Sequence, residues 1–344
     1  MSDFTKQIST MFPGPRNAGR HIRKSGIDAI FPFYHAVSGR PLPHMEYLYD
    51  IKSPDNFEAD LDYMLEHFTA VKMSDFLLDV KFEKDGKPPM VLSFDDGLAQ
   101  CYDDIMPILL KKGVPATFFL NNAFIDNKGL FYRFKVSLLL GQLRNISPGQ
   151  MSKAANLLHC GIHEIRKRLL SVSYVEREIT DQVAEAWDYS FDDYMHMNPV
   201  YLSSIQIIKM IEQGFEFGSH GIDHALFSLL KKEVALEEIK KSVIDLEYRF
   251  QLPYKFFAFP FTDYGVHDET IDILFEQNVI DAGFGTAGLK DDRWKGYFQR
   301  IPMEFQGYDA RKIIRGEINR RRIRKVLGRN IAQRNPGSSN LSML

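Results

Sequence analysis

Short apolar runs recur along the chain, each four to nine residues long and closed by a polar or glycine residue. Ile30–Tyr34, Met90–Phe94, Val114–Leu120, Phe215–Ser219, Phe256–Phe259, Ile280–Gly285 and Tyr297–Phe305 carry apolar side chains on both alternating positions. That is the pattern of strands buried on two faces. Between them the apolar period lengthens to that of helices. Ser53-Pro54 opens one in which Phe57, Leu61, Leu65 and Phe68 share a face, with Glu58 and Asp60 turned to water. Ser74–Val80 reads as a shorter helix, and Lys81–Lys87 as a polar connector. Tyr102–Leu110 stops at Gly113, and Tyr201–Gln213, Lys232–Phe250 and Glu269–Gln277 follow, the long one striped by Val234, Ile239, Val243, Leu246 and Phe250. Strand, helix and strand in repeated alternation predict parallel strands in an α/β fold of the (β/α) barrel type, whose chemistry lies at the carboxyl ends of the strands.

The alternation fails in the middle. From about 127 to 200 no run resembles a barrel strand, while Phe131–Leu143, His163–Leu170 and Val175–Trp187 read as helices. This segment is expected to be a helical insertion in a barrel domain spanning 29–308. A lid or substrate platform and a plain packing elaboration both fit it. Its aromatics, Phe131, Tyr132, Trp187, Tyr189 and Tyr194, read as core. The ends are basic. Arg16, Arg20, Arg23 and Lys24 mark an arm over 1–28, kept irregular by Pro13, Gly14, Pro15 and Gly19. A helix over 309–330 carries Arg320, Arg321, Arg322, Arg324 and Lys325, and 331–344 reads as a disordered tail. Such charge runs are solvated faces or peripheral contacts with an anionic membrane.

Composition adds exclusions. The 344 residues are 44% apolar and 26% charged, ordinary for a globular protein with a self-sufficient core. Two cysteines, Cys101 and Cys160, give no disulfide framework, and the first residues lack the apolar stretch of a secretory signal. Together these predict a cytoplasmic protein, peripheral at the inner membrane surface if the basic ends engage lipid. A net charge of −2 does not favour nucleic acid, and the absence of a Gly-rich phosphate loop at a strand–helix junction excludes nucleotide cofactors.

Two strand ends carry the candidate chemistry. Met90–Phe94 runs into Asp95, Asp96 and Gly97, and adjacent acids in different environments can divide metal binding from proton transfer. Phe215–Ser219 runs into His220-Gly-Ile-Asp-His224. Two imidazoles and one carboxylate, with a position left for water, are the donor set of a catalytic zinc site.

With these motifs the chain resembles the polysaccharide deacetylase family, carbohydrate esterases with the NodB homology domain. Ser93-Phe94-Asp95-Asp96-Gly97 is similar to its Thr-Phe-Asp-Asp-Gly motif, His220 to His224 to its His-x-x-x-His motif, and Phe257-Ala258-Phe259-Pro260-Phe261 to a divergent Arg-x-Pro-Tyr motif. The resemblance implies a distorted (β/α) barrel and a metal-dependent hydrolase removing an N-acetyl group from a sugar of a polysaccharide or lipid-linked glycan precursor. It assigns a divalent metal, most simply Zn²⁺, to Asp96, His220 and His224, the general base to Asp95, and a backbone oxyanion donor to Phe261. His35, at the end of the first strand as in relatives with a similar Tyr-His start, falls among the substrate-binding residues with Pro260 and Arg300. The chain also departs from the family. Ala258 replaces the motif's Arg, the Asp-rich fourth motif has no match, and no histidine follows His267. The open substitutes are His267, Asp281 or Glu304 as acid, and Arg300 for the lost guanidinium. Cleavage of another C–N or ester bond, and a catalytically inactive glycan-binding module, stand as alternatives.

Overall fold

A computed structural model describes residues 17–79 and 86–334. The expected arm up to residue 16, most of the connector from Lys81 and the expected tail from Asn335 lie outside them. The chain runs α1 (Ala18–Lys24), β1 (Pro32–Tyr34), α2 (Pro54–His67), α3 (Met73–Leu77), β2 (Leu92–Phe94), then a π-helical turn at Cys101–Ile105 continued by α4 (Met106–Lys112). After β3 (Ala116–Leu120) come five helices, α5 (Tyr132–Gln142), α6 (Pro148–Leu157), α7 (Ile165–Leu170), α8 (Ile179–Ala186) and α9 (Phe191–Met197). Regular alternation then resumes with α10 (Ser204–Glu212), β4 (Glu216–Ser219), α11 (Lys232–Phe250), β5 (Phe256–Ala258), α12 (Asp268–Glu276) and β6 (Ala282–Gly285). β7 (Tyr297–Gln299), β8 (Ile301–Pro302) and α13 (Ala310–Val326) complete it.

The eight strands form one parallel sheet in the order β8-β1-β2-β3-β4-β5-β6-β7. Its two edges are nearly continuous in sequence. Gln299 of β7 pairs with Gly285, Ile301 of β8 pairs with Pro32, and Arg300 alone stands between them. The sheet therefore curls into a nearly closed barrel, as the alternation of strand and helix predicts.

Successive strand residues face opposite ways. Phe94, Phe118 and Phe217 stack in a row against the outer helices, with ring centroids 5.0 and 5.6 Å apart. Phe119, Phe256, Ala258 and Phe284 turn into the barrel. Gly218 makes room there, since a Cβ at that position would lie 2.7 Å from the Phe119 ring. A separate apolar core, formed by α5 to α9 with Ala36, Met45 and Leu98 from loops after the strands and Tyr201 from the segment between α9 and α10, sits over the carboxyl ends of the barrel.

Three expectations change. Asp60 is buried rather than turned to water: it accepts from Ala310 N at 2.6 Å, Lys52 Nζ at 2.5 Å and Tyr34 Oη at 3.1 Å. Helical periodicity placed it opposite the apolar stripe, but α13 covers that side. The irregular basic arm folds, from Asn17 on, into α1, capped by the Asn17 side chain and buried through Ala18 and Ile22. The first residues of the expected tail are also fixed, because the buried Arg334 guanidinium lies 2.8 Å from Asp263 and 2.6 Å from Asp292.

Candidate active site

β2 ends one residue before Asp95, β4 ends one residue before His220, and β5 is followed by Phe259, the buried Pro260 and Phe261, so three turns meet at the carboxyl end of the barrel. The turns are tight. Asp96, His224 and Phe261 all adopt positive φ, at 71°, 63° and 58°. Side-chain-bearing residues reach that region at a cost in strain, and such outliers concentrate where structure serves chemistry. Gly97 follows Asp96, also at positive φ, and passes so close to β3 that a Cβ would meet Leu120 Cδ2 at 2.7 Å.

The geometry brings Asp96, His220 and His224 together. His224 Nε2 lies 3.1 Å and His220 Nε2 3.7 Å from Asp96 Oδ1, and one donor atom of each residue falls within 4.8 Å of the others. His220 donates from Nδ1 to the Ala258 carbonyl at 2.8 Å, which turns Nε2 toward the carboxylates. Burial pushes His220 down to about 4, so it is a neutral imidazole with a lone pair to offer. Among the described residues neither oxygen of Asp96 has a hydrogen-bond donor, although both are buried. A buried carboxylate without donors beside two imidazoles fits a divalent cation.

Asp95 faces a different neighbour. Arg300 donates to it through Nη1 at 2.6 Å and Nη2 at 2.8 Å, and also to Ser93 Oγ at 3.2 Å. Burial alone would raise the Asp95 pKa, but the guanidinium, with His220 at 3.8 Å, holds it below the usual carboxylate range. Arg300 is fully buried, with its guanidinium over Phe33 at 4.3 Å and Phe119 at 5.2 Å. Ala258 belongs to the same interior cluster as Phe119 and Phe284, the two rings that the Arg300 guanidinium also approaches, at 5.2 and 5.9 Å.

His35, at the end of β1, is the fourth element. Its Nδ1 lies 2.5 Å from Glu304 Oε2, while Glu304 Oε1 accepts from the backbone N–H of His35 and Ala36. Burial by itself lowers the His35 pKa; the Glu304 carboxylate overcomes that and pushes it to about 9. Asp96 and Asp95 act on it in the same direction, to a smaller extent.

Other candidates lie apart. His267 is exposed and precedes α12, and Asp281 accepts from Lys255 N at 2.7 Å, where β5 begins, at the opposite end of the barrel. The Phe261 N–H has no acceptor among the described residues. Its ring packs edge-on to His224 at 4.5 Å.

Sequence reading missed the roof. Phe131 lies 4.2 Å from the His224 ring and Tyr49 4.6 Å from the His35 ring. Neither residue carries a local signal, since aromatic side chains read as core. It also missed Asp223, inside the His motif, whose carboxylate accepts from Tyr174 Oη at 2.8 and 3.0 Å.

The polysaccharide deacetylase family model matches residues 82–278. None of the curated proteins matches the chain. Among solved structures, the Streptococcus pyogenes deacetylase PplD in complex with acetate superposes with a TM-score of 0.54 at 15% identity, covering 85% of this chain and 98% of its own. IcaB from Ammonifex degensii gives 0.51 at 16% identity, covering 85% and 97%. At these identities the two share the fold.

Proposed function

Because the chain belongs to the polysaccharide deacetylase family, hydrolases of non-peptide carbon–nitrogen bonds, we propose that it removes the N-acetyl group from a sugar of a polysaccharide or lipid-linked glycan. The observation that carries this reading is the division of labour between two adjacent buried acids. Asp95 is held ionised by Arg300, and Asp96 presents bare oxygens to two imidazoles.

Asp96, His220 and His224 would hold a divalent ion, most simply zinc; when bound, it supplies Lewis acidity toward the acetamide carbonyl and the attacking water. Asp95 takes the proton from that water as general base, a role its ionised state permits. The Phe261 N–H, without an acceptor among the described residues, donates to the developing oxyanion. His35, protonated against Glu304, gives the departing amine its proton through Nε2. This assigns the acid to the first strand, with its carboxylate partner from the last. Arg300 steadies the base from inside the barrel, as the missing Arg at 258 would. The roof of Phe131 and Tyr49 excludes water from the reacting groups.

The test is metal content together with acetate release. Purified without chelator, the protein should hold about one ion per chain and release acetate from N-acetylglucosamine oligomers. Asp95→Asn should abolish release while keeping the ion. Stoichiometric metal with no acetate, but turnover of another amide or ester, would move the reaction to that bond. An ion with no turnover of any of them supports the binding module. No ion, even after zinc is added back, defeats the assignment.

A further inference from the structure

The chain as a whole is nearly neutral, at −2, but its charge is segregated. Residues 310–331 hold nine Lys or Arg against one acid, Glu317, and residues 17–28 hold three against Asp28. The two stretches thus carry +10 between them, which leaves −12 on the rest. They are also neighbours in space. Arg322 Nη2 lies 2.5 Å from His21 Nδ1, and Arg322, Lys24 and Arg20 add to burial in lowering the His21 pKa.

The acids near α13 are already engaged with its buried side. Glu317 pairs with Arg320 and Arg324, and Asp291 with Arg321. Arg20, Arg23, Lys24, Arg322, Lys325 and Arg329 remain exposed. Interleaved with them are large aliphatic side chains, Ile323 at 54%, Val326 at 88%, Leu327 at 58% and Ile331 at 56% exposure. A surface built for nucleic acid or another soluble polyanion has no use for exposed aliphatics, whereas an interfacial surface uses both kinds.

We propose that α1 and the C-terminal half of α13, through Ile331, form a docking surface for an anionic lipid membrane. The aliphatic side chains enter the headgroup layer and the cations meet the lipid phosphates. The surface lies away from the chemistry. Gly19 of α1 packs against the His67 carbonyl at the end of α2 and against Pro88, ahead of β2, so α1 sits where the strands begin. Docking there leaves the Asp95 end of the barrel uncovered and directed away from the bilayer.

The test is co-sedimentation of the full chain with vesicles of phosphatidylcholine alone or with one third phosphatidylglycerol, at low and high salt. Binding is expected only to the anionic vesicles and should weaken with salt. Lys325→Gln should weaken it about fivefold, the contribution of one cation near an anionic leaflet. Val326→Ser with Leu327→Ser, which leaves the charge unchanged, should weaken it about tenfold or more. Both variants should keep the metal content and the acetate release of the unmodified protein on soluble oligosaccharide. Absence of binding, equal binding to neutral vesicles, or unchanged binding by the Val326, Leu327 double variant each overturns the proposal. Binding to a DNA duplex without binding to vesicles overturns it in favour of a polyanion.

Discussion

Arg300 and Asp95 meet through two parallel hydrogen bonds of 2.6 and 2.8 Å, and both side chains are buried. The geometry is the bidentate fork that distinguishes arginine from lysine. It is available only because Arg300 sits at the seam where β7 ends and β8 begins, between the two edges of the sheet. The pair therefore joins barrel closure to the charge state of the carboxylate proposed as general base.

Arg300→Lys should keep the positive charge but lose one of the two bonds. Turnover is expected to fall about a hundredfold, with metal content unchanged, because the residues proposed to hold the ion are others. Arg300→Met should be worse, costing about 3–5 kcal/mol by leaving a buried carboxylate unpaired. Adding Asp95→Asn to Arg300→Met should recover part of that loss in urea unfolding. A double variant no more stable than Arg300→Met would mean that the two groups are not coupled.

The His35–Glu304 pair predicts a specific pH dependence. Its folded pKa of about 9 lies above the unfolded value of about 6.5, so the stabilisation is complete below pH 6.5 and disappears as pH rises through 9. The contribution is about 3 kcal/mol at most. Metal-free protein should lose it between pH 6.5 and 10, while Glu304→Gln, lacking it from the start, should change little. Urea midpoints of the two proteins are expected to converge at pH 10. A constant gap across the range would show that the pair does not titrate this way.

How much of this was legible beforehand follows from what is local in the chain. Asp95, Asp96, His220 and His224 could be read because each pair stands at the end of its own apolar run, and a parallel barrel gathers strand ends. Arg300 could be named only as one substitute among guesses, since its meeting with Asp95 depends on closure between residues more than two hundred positions apart. Asp60 was misread because periodicity within α2 does not know that α13 will cover its polar side. The helices α6 and α9, short and joined by tight turns, gave too few apolar repeats to register. Phe131 and Tyr49 carry no chemistry a sequence can announce; their place over the histidines is set entirely by packing.

His44 should make the protein sensitive to acid. Burial pushes it down to about 4, with Nδ1 2.9 Å from Tyr194 Oη and the ring against Phe134. The unfolded chain therefore takes up a proton that the folded chain refuses. Its favourable contribution is complete above pH 6.5 and is lost as pH falls toward 4, amounting to about 2 kcal/mol at pH 5. His44→Phe removes the titrating group at the cost of one hydrogen bond. Its urea midpoint should fall less than that of the unmodified protein between pH 7 and 5; an equal fall would place the acid sensitivity elsewhere.

Tyr174 ties the helical segment to the histidine loop. Its hydroxyl donates to both oxygens of Asp223, the residue just before His224, and the Arg177 guanidinium lies 4.2 Å over its ring and 3.7 Å from the same carboxylate. The loop backbone takes positive φ at His224, and the ring, packed on Phe131 and Phe261, has no hydrogen-bond partner for its buried Nδ1 among the described residues. Its orientation thus depends on contacts one residue away. Loss of an outer partner of this kind weakens metal affinity by about 10–100-fold in general. Tyr174→Phe removes only the hydroxyl and keeps the ring under Arg177, so a loss of that size is expected in competition with a chromogenic chelator. The thermal midpoint of the metal-free protein should barely move. Equal affinity in the two proteins would reduce the contact to packing, whereas a parallel loss of metal-free stability would show that Tyr174 supports the fold rather than the loop.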